Sequence, residues 1–318
     1  MVSNDIPLPE LPSEPDLPLV SVVMPTYNRE LQLCITLQSL FIQTYSLMEI
    51  IVVDQTKRHE ERTRRFLEQN RHRLRLITSS PPAVTRARSA GALAARGDIV
   101  IYVDDDVICS RKFVAGHVRA HQLPGVGIVA GRMTENGKPI PKDDAPVGQL
   151  DPATIGVTRF FTSRKRQFVH HAPGANMSFK RPLLLQAGLF EPAMGGTARY
   201  EETDACIRVA RLGYKVLFEP TAHVHHLGGP GGQSYGASFE RHYRTVVHNG
   251  LLFTWRNIRC RYWPQALLYS FRNAFYLARR DRSPLPLRIF VEETARSVRS
   301  YFRSTGSLPP GAPRWPLE

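Results

Sequence analysis

GDIVIYVDDDVICSRKF, residues 97–113, carries a run of β-branched and aromatic residues straight into three adjacent carboxylates, Asp104, Asp105 and Asp106. The apolar run reads as a buried strand. Asp is common where a strand stops and the chain turns, so a solvated turn accounts for an isolated acid. Three in a row repel one another and raise each other's pKa unless a cation or strong donors compensate. At the end of a core strand they favour a hard divalent metal.

The segments on either side set the fold class. LVSVVM (19–24), EIIVVD (49–54), LRLIT (74–78), DIVIYV (98–103) and GVGIVAG (125–131) are strand-like, and helix-like stretches separate them at 29–43, 58–69, 84–96 and 111–122. This alternation predicts an α/β fold, a mixed and mostly parallel sheet flanked by helices. In such sheets a ligand sits beyond the carboxyl ends of the strands. PTYNR (25–29), Asp54 and the Asp triplet all fall there, so three polar clusters are expected on one edge.

Composition narrows the partners. Across 318 residues, 42 Lys and Arg face 28 Asp and Glu, a formal charge of +14 that suits anionic partners. Cys34, Cys109, Cys206 and Cys260 are scattered, which indicates neither a zinc site nor a disulfide framework and fits a reducing compartment. The first 19 residues lack the apolar run of a signal peptide, and no apolar stretch reaches the roughly 18 residues of a membrane span. The expected location is the cytoplasm. No G-x-G-x-x-G follows the first strand and no G-x-x-x-x-G-K-[ST] occurs, so a nucleotide would be held by a metal and by basic side chains such as Arg86 and Arg88.

The second half carries another constellation. GANMSFKR (174–181) reads as a strand, and RYEETDACIRVARLGYKVLFEP (199–220) as a helix followed by a strand. Glu201, Glu202 and Asp204 occupy that helix's first turn, where its dipole favours carboxylates. A carboxylate beside a sugar-sized pocket is also a suitable general base. His223, His225 and His226 then precede a glycine-rich stretch that reads as a ligand beside a lid.

VSVVMPTYNR, IIVVD, ARSAGALAARGDIVIYVDDD, GANMSFKR and EETDACIRVARLGYKV occur in the order and spacing of the family 2 glycosyltransferases, and residues 19–228 resemble that family. The resemblance implies the GT-A fold and an inverting transfer from a nucleotide diphosphate sugar, usually a UDP-sugar, assisted by Mn²⁺ or Mg²⁺. It implies a donor-nucleotide site at Pro25, Thr26, Tyr27, Asn28, Arg29, Asp54, Arg88, Asp104 and Asp105, and a sugar and acceptor pocket at Gly174, Ala175 and Asn176. Metal contacts are implied at Asp104, Asp106 and His225, with His226 as the alternative to the last. Glu202 is the implied base, with Glu201 beside it and Asp204 as the alternative. Ser89 stands where the family usually has Asn.

By this reading residues 1–18 are a flexible segment, 19–250 the catalytic domain and 251–318 a basic, aromatic-rich helical extension. Residues 132–170 show no interpretable periodicity. The stretch 251–303 carries 11 Arg against 3 acids. It reads either as helices packed on the catalytic domain or as a patch for an anionic membrane surface, which suits a lipid-linked acceptor at the inner face of the cytoplasmic membrane. A glycan is the other acceptor class. Two alternatives stand beside this reading: a sugar nucleotidyltransferase, which lacks its glycine-rich phosphate loop here, and a nucleic-acid-binding protein, for which no binding motif is visible.

Overall fold

Val20–Thr26 (β1), Met48–Asp54 (β2), Arg75–Thr78 (β3) and Ile99–Val103 (β4) lie side by side in the order β3, β2, β1, β4, all parallel. The protein is seen in a computed structural model that describes residues 6–11, 16–137, 145–197, 199–228 and 237–304. Leu31–Leu40 (α1), Glu61–Gln69 (α2) and Val84–Ala94 (α3) make the crossovers. Strands β1 and β4 are covered on both faces, which is why their sequences are nearly continuous apolar runs. Helix α3 lies so close to β1 that a Cβ at Gly91 would stand 2.2 Å from Val23 Cγ1.

The chain continues through Val107–Cys109 (β5), Phe113–His121 (α4), Val126–Glu135 (β6), Val147–Leu150 (β7), Val157–Arg159 (β8), Gln167–Val169 (β9), Asn176–Lys180 (β10), Arg181–Gln186 (α5), Glu201–Ala210 (α6) and Lys215–His226 (β11). Strand β10 inserts antiparallel between β4 and β6, and β11 runs parallel to β6. The other edge of β11 holds β9 along its first half and β5 along its second, both antiparallel. Strands β7 and β8 form a separate ladder, so among its described residues the uninterpreted stretch before β10 holds three short strands. Three or four residues show too little alternation to announce a strand.

Alternate residues feed opposite sides of the sheet. Val23, Val100 and Tyr102 pack with Ala87, Ala92, Ala205 and Val209 from α3 and α6. Val22, Met24 and Ile101 pack with Leu33, Leu37, Phe113 and Val118 from α1 and α4.

Phe239–Asn257 (α7), Trp263–Arg280 (α8) and Leu285–Ser304 (α9) complete the fold. Ser238 caps α7 by accepting from Arg241 N at 3.2 Å. Leu252 and Phe253 of α7 join Ile207 of α6, while Tyr243, Val247, Leu251 and Trp255 join Ala274 and Ile289 of α8 and α9. Helix α7 runs unbroken through residue 250, where composition alone divides the catalytic domain from its extension. The N-terminal segment is not wholly detached: Ile6 and Leu8 pack beside Ala120 and Leu217, and Pro9 O accepts from Arg119 Nε at 3.0 Å. Among the described residues no helix is long and apolar enough to cross a membrane. The glycine-rich lid expected after His226 falls mostly outside the described residues.

Candidate active site

The carboxyl ends of β1 and β4, the segment before β10 and the start of α6 line a cavity of about 720 Å³. Where β4 stops, the three acids meet different surroundings. Asp105 is buried, accepts from Thr26 Oγ1 at 2.6 Å and lies 3.3 Å from Arg29 Nε. Burial pushes its carboxyl up to about 7, against the Thr26 bond and the Arg29 charge. Asp106 is buried too, with Oδ2 accepting from Arg29 Nη2 at 2.6 Å and Oδ1 lying 3.4 Å from His226 Nε2. Asp104 alone is partly exposed, 3.8 Å from Arg88 Nη2.

Arg88 joins this cluster to a second one. It is buried in α3 and donates from Nη1 to Glu201 Oε1 at 3.0 Å. Glu201 is almost wholly buried, and burial followed by the charge of Glu202 raises its pKa well above the usual carboxylate range. Burial acts upward on Glu202 as well, but Arg88 and then His171 hold it below its ordinary value. The two adjacent acids at the cavity wall are thus pushed apart, Glu201 upward and Glu202 downward. A Cβ at Gly174 would stand 2.3 Å from Arg88 Nη2 and 2.9 Å from Glu202 Oε1, so only glycine lets this backbone approach both groups. Tyr200, just before α6, has a left-handed φ of 69° and stacks on Phe253 with ring centroids 5.5 Å apart. Backbone strain of this kind, typically about 1–3 kcal/mol, is kept where packing holds it.

The cavity brings together Pro25, Thr26, Tyr27, Arg29, Arg88, the Asp triplet, Gly174, Ala175, Glu201 and Glu202. Other expected residues lie elsewhere. Asn28, itself left-handed at φ 51°, is exposed and donates its N–H to Thr56 Oγ1. Asp54 bonds Thr56 N and lies 3.0 Å from His59 Nε2, while the adjacent Gln55 takes a place in the cavity lining.

Asn176 is fully buried and ties β10 to its neighbours. Its Oδ1 pairs with His117 Nε2, and its Nδ2 donates to the carbonyls of Arg132 and Ala222. Asp204 turns away from the cavity into contacts with Arg208 Nε at 2.8 Å, Asn257 Nδ2 at 2.8 Å and Arg256 Nε at 3.4 Å. It is a structural ion-pair residue, because a helix turns about 100° per residue and carries 204 off the face shown by 202.

His225 is drawn to Thr134 Oγ1 at 3.1 Å, as is His223 at 2.8 Å, and the histidine at the carboxylates is His226. Arg86 is exposed and bonds Pro81 O, and Ser89 Oγ accepts from Phe190 N. Sequence reasoning missed His171, Tyr200 and His242 in the lining. His171 stands three residues before Gly174, and its pairing with Thr203 Oγ1 at 2.9 Å is visible only in three dimensions.

The cavity lies at the carboxyl edge of a mixed sheet, with acids on two facing elements, and the fold is of the GT-A type. The fold is like that of the mannosyltransferase PcManGT from Pyrobaculum calidifontis, solved with GDP-Man and Mn²⁺, at a TM-score of 0.53 and 18% identity over 94% of this chain and 90% of that one. It is also like that of GalNAc-T7, solved with UDP, GalNAc and Mn²⁺, at a TM-score of 0.62 and 17% identity over 95% of this chain and 60% of that one.

The profile of glycosyl transferase family 2 matches residues 21–184, and the chain belongs to that family. Over 219 residues it is 24% identical to the glucosyl-dolichyl phosphate glucuronosyltransferase of Haloferax volcanii, covering 65% of this chain and 68% of that protein. Over 223 residues it is 27% identical to the uncharacterized protein y4gI of Sinorhizobium fredii, covering 66% of this chain but only 24% of that longer relative.

Proposed function

We propose that the enzyme moves a sugar, with inversion at the anomeric carbon, from a nucleotide diphosphate sugar to a hydroxyl of a glycan or lipid-linked acceptor, with Mn²⁺ or Mg²⁺ in the site. UDP is the nucleotide of this reading. The observation that carries it is that Glu202 shares one cavity with Asp104 and Asp106, with Arg88 reaching both clusters and holding the Glu202 carboxyl below its ordinary value. Glu202 takes the proton of the acceptor hydroxyl as that oxygen bonds to the anomeric carbon. The bond from that carbon to the diphosphate oxygen breaks, and its electron pair leaves with the diphosphate. Arg88 holds the Glu201 carboxyl in place, and its charge acts on Glu202 as well.

The donor atoms present suit the cation. Asp104 and Asp106 offer carboxylate oxygens, and His226 stands beside them with a buried Nδ1 that has no hydrogen-bond partner among the described residues. No three His, Cys, Asp or Glu side chains among the described residues meet in a ligand cluster. When bound there, the cation would offset the charge growing on the departing diphosphate. Pro25, Thr26, Tyr27 and Gln55 form the wall assigned to the nucleoside. A lipid-linked acceptor is in keeping with the Haloferax volcanii relative, whose name includes a dolichyl phosphate.

A panel of UDP- and GDP-sugars tests the reading through slow donor hydrolysis and the anomeric configuration of the product by proton NMR. Metal-dependent hydrolysis of a UDP-sugar with inversion is expected. Equal turnover after chelation, or retention of configuration, overturns it.

A further inference from the structure

The aromatic residues of the C-terminal helices divide into two sets. Trp255 and Trp263 turn inward: Trp255 Nε1 donates to Ser297 Oγ and Trp263 Nε1 to Ile258 O, both at 3.0 Å. Ala266 and Ala274 face the same way and are fully buried. The opposite side of α8 exposes Leu268, Phe271, Phe275 and Tyr276, at 44–65% of their full surface. Their spacing of three, four and one places them on one face of the helix. Phe271 stacks on Phe275 and meets Phe290 of α9 at 5.8 Å, so the ridge reaches the seam between the two helices. Helix α9 has a stripe of its own in Val291, Val298 and Phe302.

Arginines flank the ridge. Arg272 falls on the same face of α8, and the Arg279 guanidinium lies 5.8 Å from the Phe275 ring centroid. From 261 to 304 the chain has nine Arg, no Lys and three acids. Those acids are already engaged: Asp281 by Arg280, Glu292 by Arg244 and Arg288, and Glu293 by Arg244. Among the described residues the face therefore combines a cationic fringe that these acids do not neutralise with an aromatic crest.

We propose that the exposed face of α8 docks on an anionic lipid bilayer, with the crest at the headgroup and acyl boundary and Arg272 and Arg279 among the headgroup anions. Only a leaflet answers both halves of the face. A second copy would bring like charges together. A nucleic acid would satisfy the arginines and leave the aliphatic part of the crest in water. Aromatic and leucine side chains beside arginine mark helices that lie in an interface, and arginine reaches from apolar surface to polar headgroups. The inference is independent of the proposed chemistry, since it involves no residue of the cavity.

Sedimentation of the full-length protein with vesicles tests it, without donor or metal. Binding is expected to phosphatidylcholine vesicles containing phosphatidylglycerol at low salt, with loss at high salt and none to phosphatidylcholine alone. Arg272→Gln with Arg279→Gln should weaken partitioning by about thirtyfold, given about 1 kcal/mol for each basic group near an anionic leaflet. Phe271→Ser with Phe275→Ser should weaken it at unchanged melting temperature. Full-length protein left in the supernatant with anionic vesicles at low salt overturns the proposal. So does salt-sensitive retention on DNA without vesicle binding, or self-association that the Phe271 and Phe275 changes abolish. Because Glu202→Gln leaves this face untouched, it should bind vesicles like the native chain even where sugar transfer is lost.

Discussion

Arg29 Nη2 lies 2.6 Å from Asp106 Oδ2, so an arginine from the loop after β1 already neutralises a carboxylate assigned to the metal. A resident cation and an arriving one compete for the same oxygen. Arg29→Gln should tighten Mn²⁺ binding in the absence of donor by about tenfold, a modest share of the repulsion between neighbouring charges. Counting free Mn²⁺ by electron paramagnetic resonance measures it. Unchanged or weaker binding would show that Arg29 stays clear of the cation.

Glu202 and Asp204, two residues apart, are expected to fail differently. Glu202→Gln should lower the rate by about a hundredfold or more while sparing donor affinity, as loss of a general base does. Asp204→Asn should instead destabilise the fold by about 3 kcal/mol, because it strips a buried counter-charge from Arg208 and Arg256. Melting temperature beside single-turnover rate separates the two. A crippled rate at unchanged stability in Asp204→Asn would return the base to position 204.

Acid stability follows from the same aspartate. Burial acts upward on Asp204, but Arg208 and Arg256 outweigh it and hold the carboxyl at about 2. An unfolded Asp titrates near 4, so the unfolded chain binds more protons over this interval and stability rises with pH. The contribution, about 2 kcal/mol, is complete above roughly pH 4 and is lost as pH falls towards 2. Denaturant midpoints between pH 2 and 5 should therefore fall more steeply for the native chain than for Asp204→Asn. Parallel curves would contradict this assignment.

At Gly174 the smallest addition should be felt in catalysis. An alanine Cβ would meet Arg88 Nη2 at 2.3 Å and Glu202 Oε1 at 2.9 Å, and Arg88 is buried and pinned to Glu201. Gly174→Ala is expected to cut turnover by about tenfold or more, since small misplacements of a reacting group are costly. The circular dichroism spectrum should not change. Full activity would show that Arg88 can yield without consequence.

The strands of the first half were legible because each is a long apolar run ending at a polar cluster. The acid pair was legible because carboxylates open α6 together. Strands β7, β8 and β9 were not, since lengths of three or four residues leave no alternation to read. Asn176 looked like a pocket residue from its neighbours Gly174 and Ala175, yet strand alternation turns it inward to His117. Asp204 stood as the alternative to Glu202 because residue type says nothing about which side of a helix faces a cavity. Arg208 and Arg256, which draw Asp204 away from the cavity, come from one turn further on and from another helix.

Strand β11 shows the same limit in a form that can be counted. It pairs Glu219 with Gly131 and then His223 with Arg132, so three of its residues, Pro220 among them, pass while β6 advances by none. Because side chains alternate along a strand, an odd excess exchanges inside for outside downstream. His226 faces Asp106, and His223 and His225 face Thr134, as a result of that parity. Inserting a single residue between 220 and 222, with the pairing up to Glu219 and the path of the strand kept, would place His225 where His226 stands without altering either histidine. Related chains whose loops are longer here by one residue would then carry the same motif in opposite phase, with the neighbouring histidine at the carboxylates.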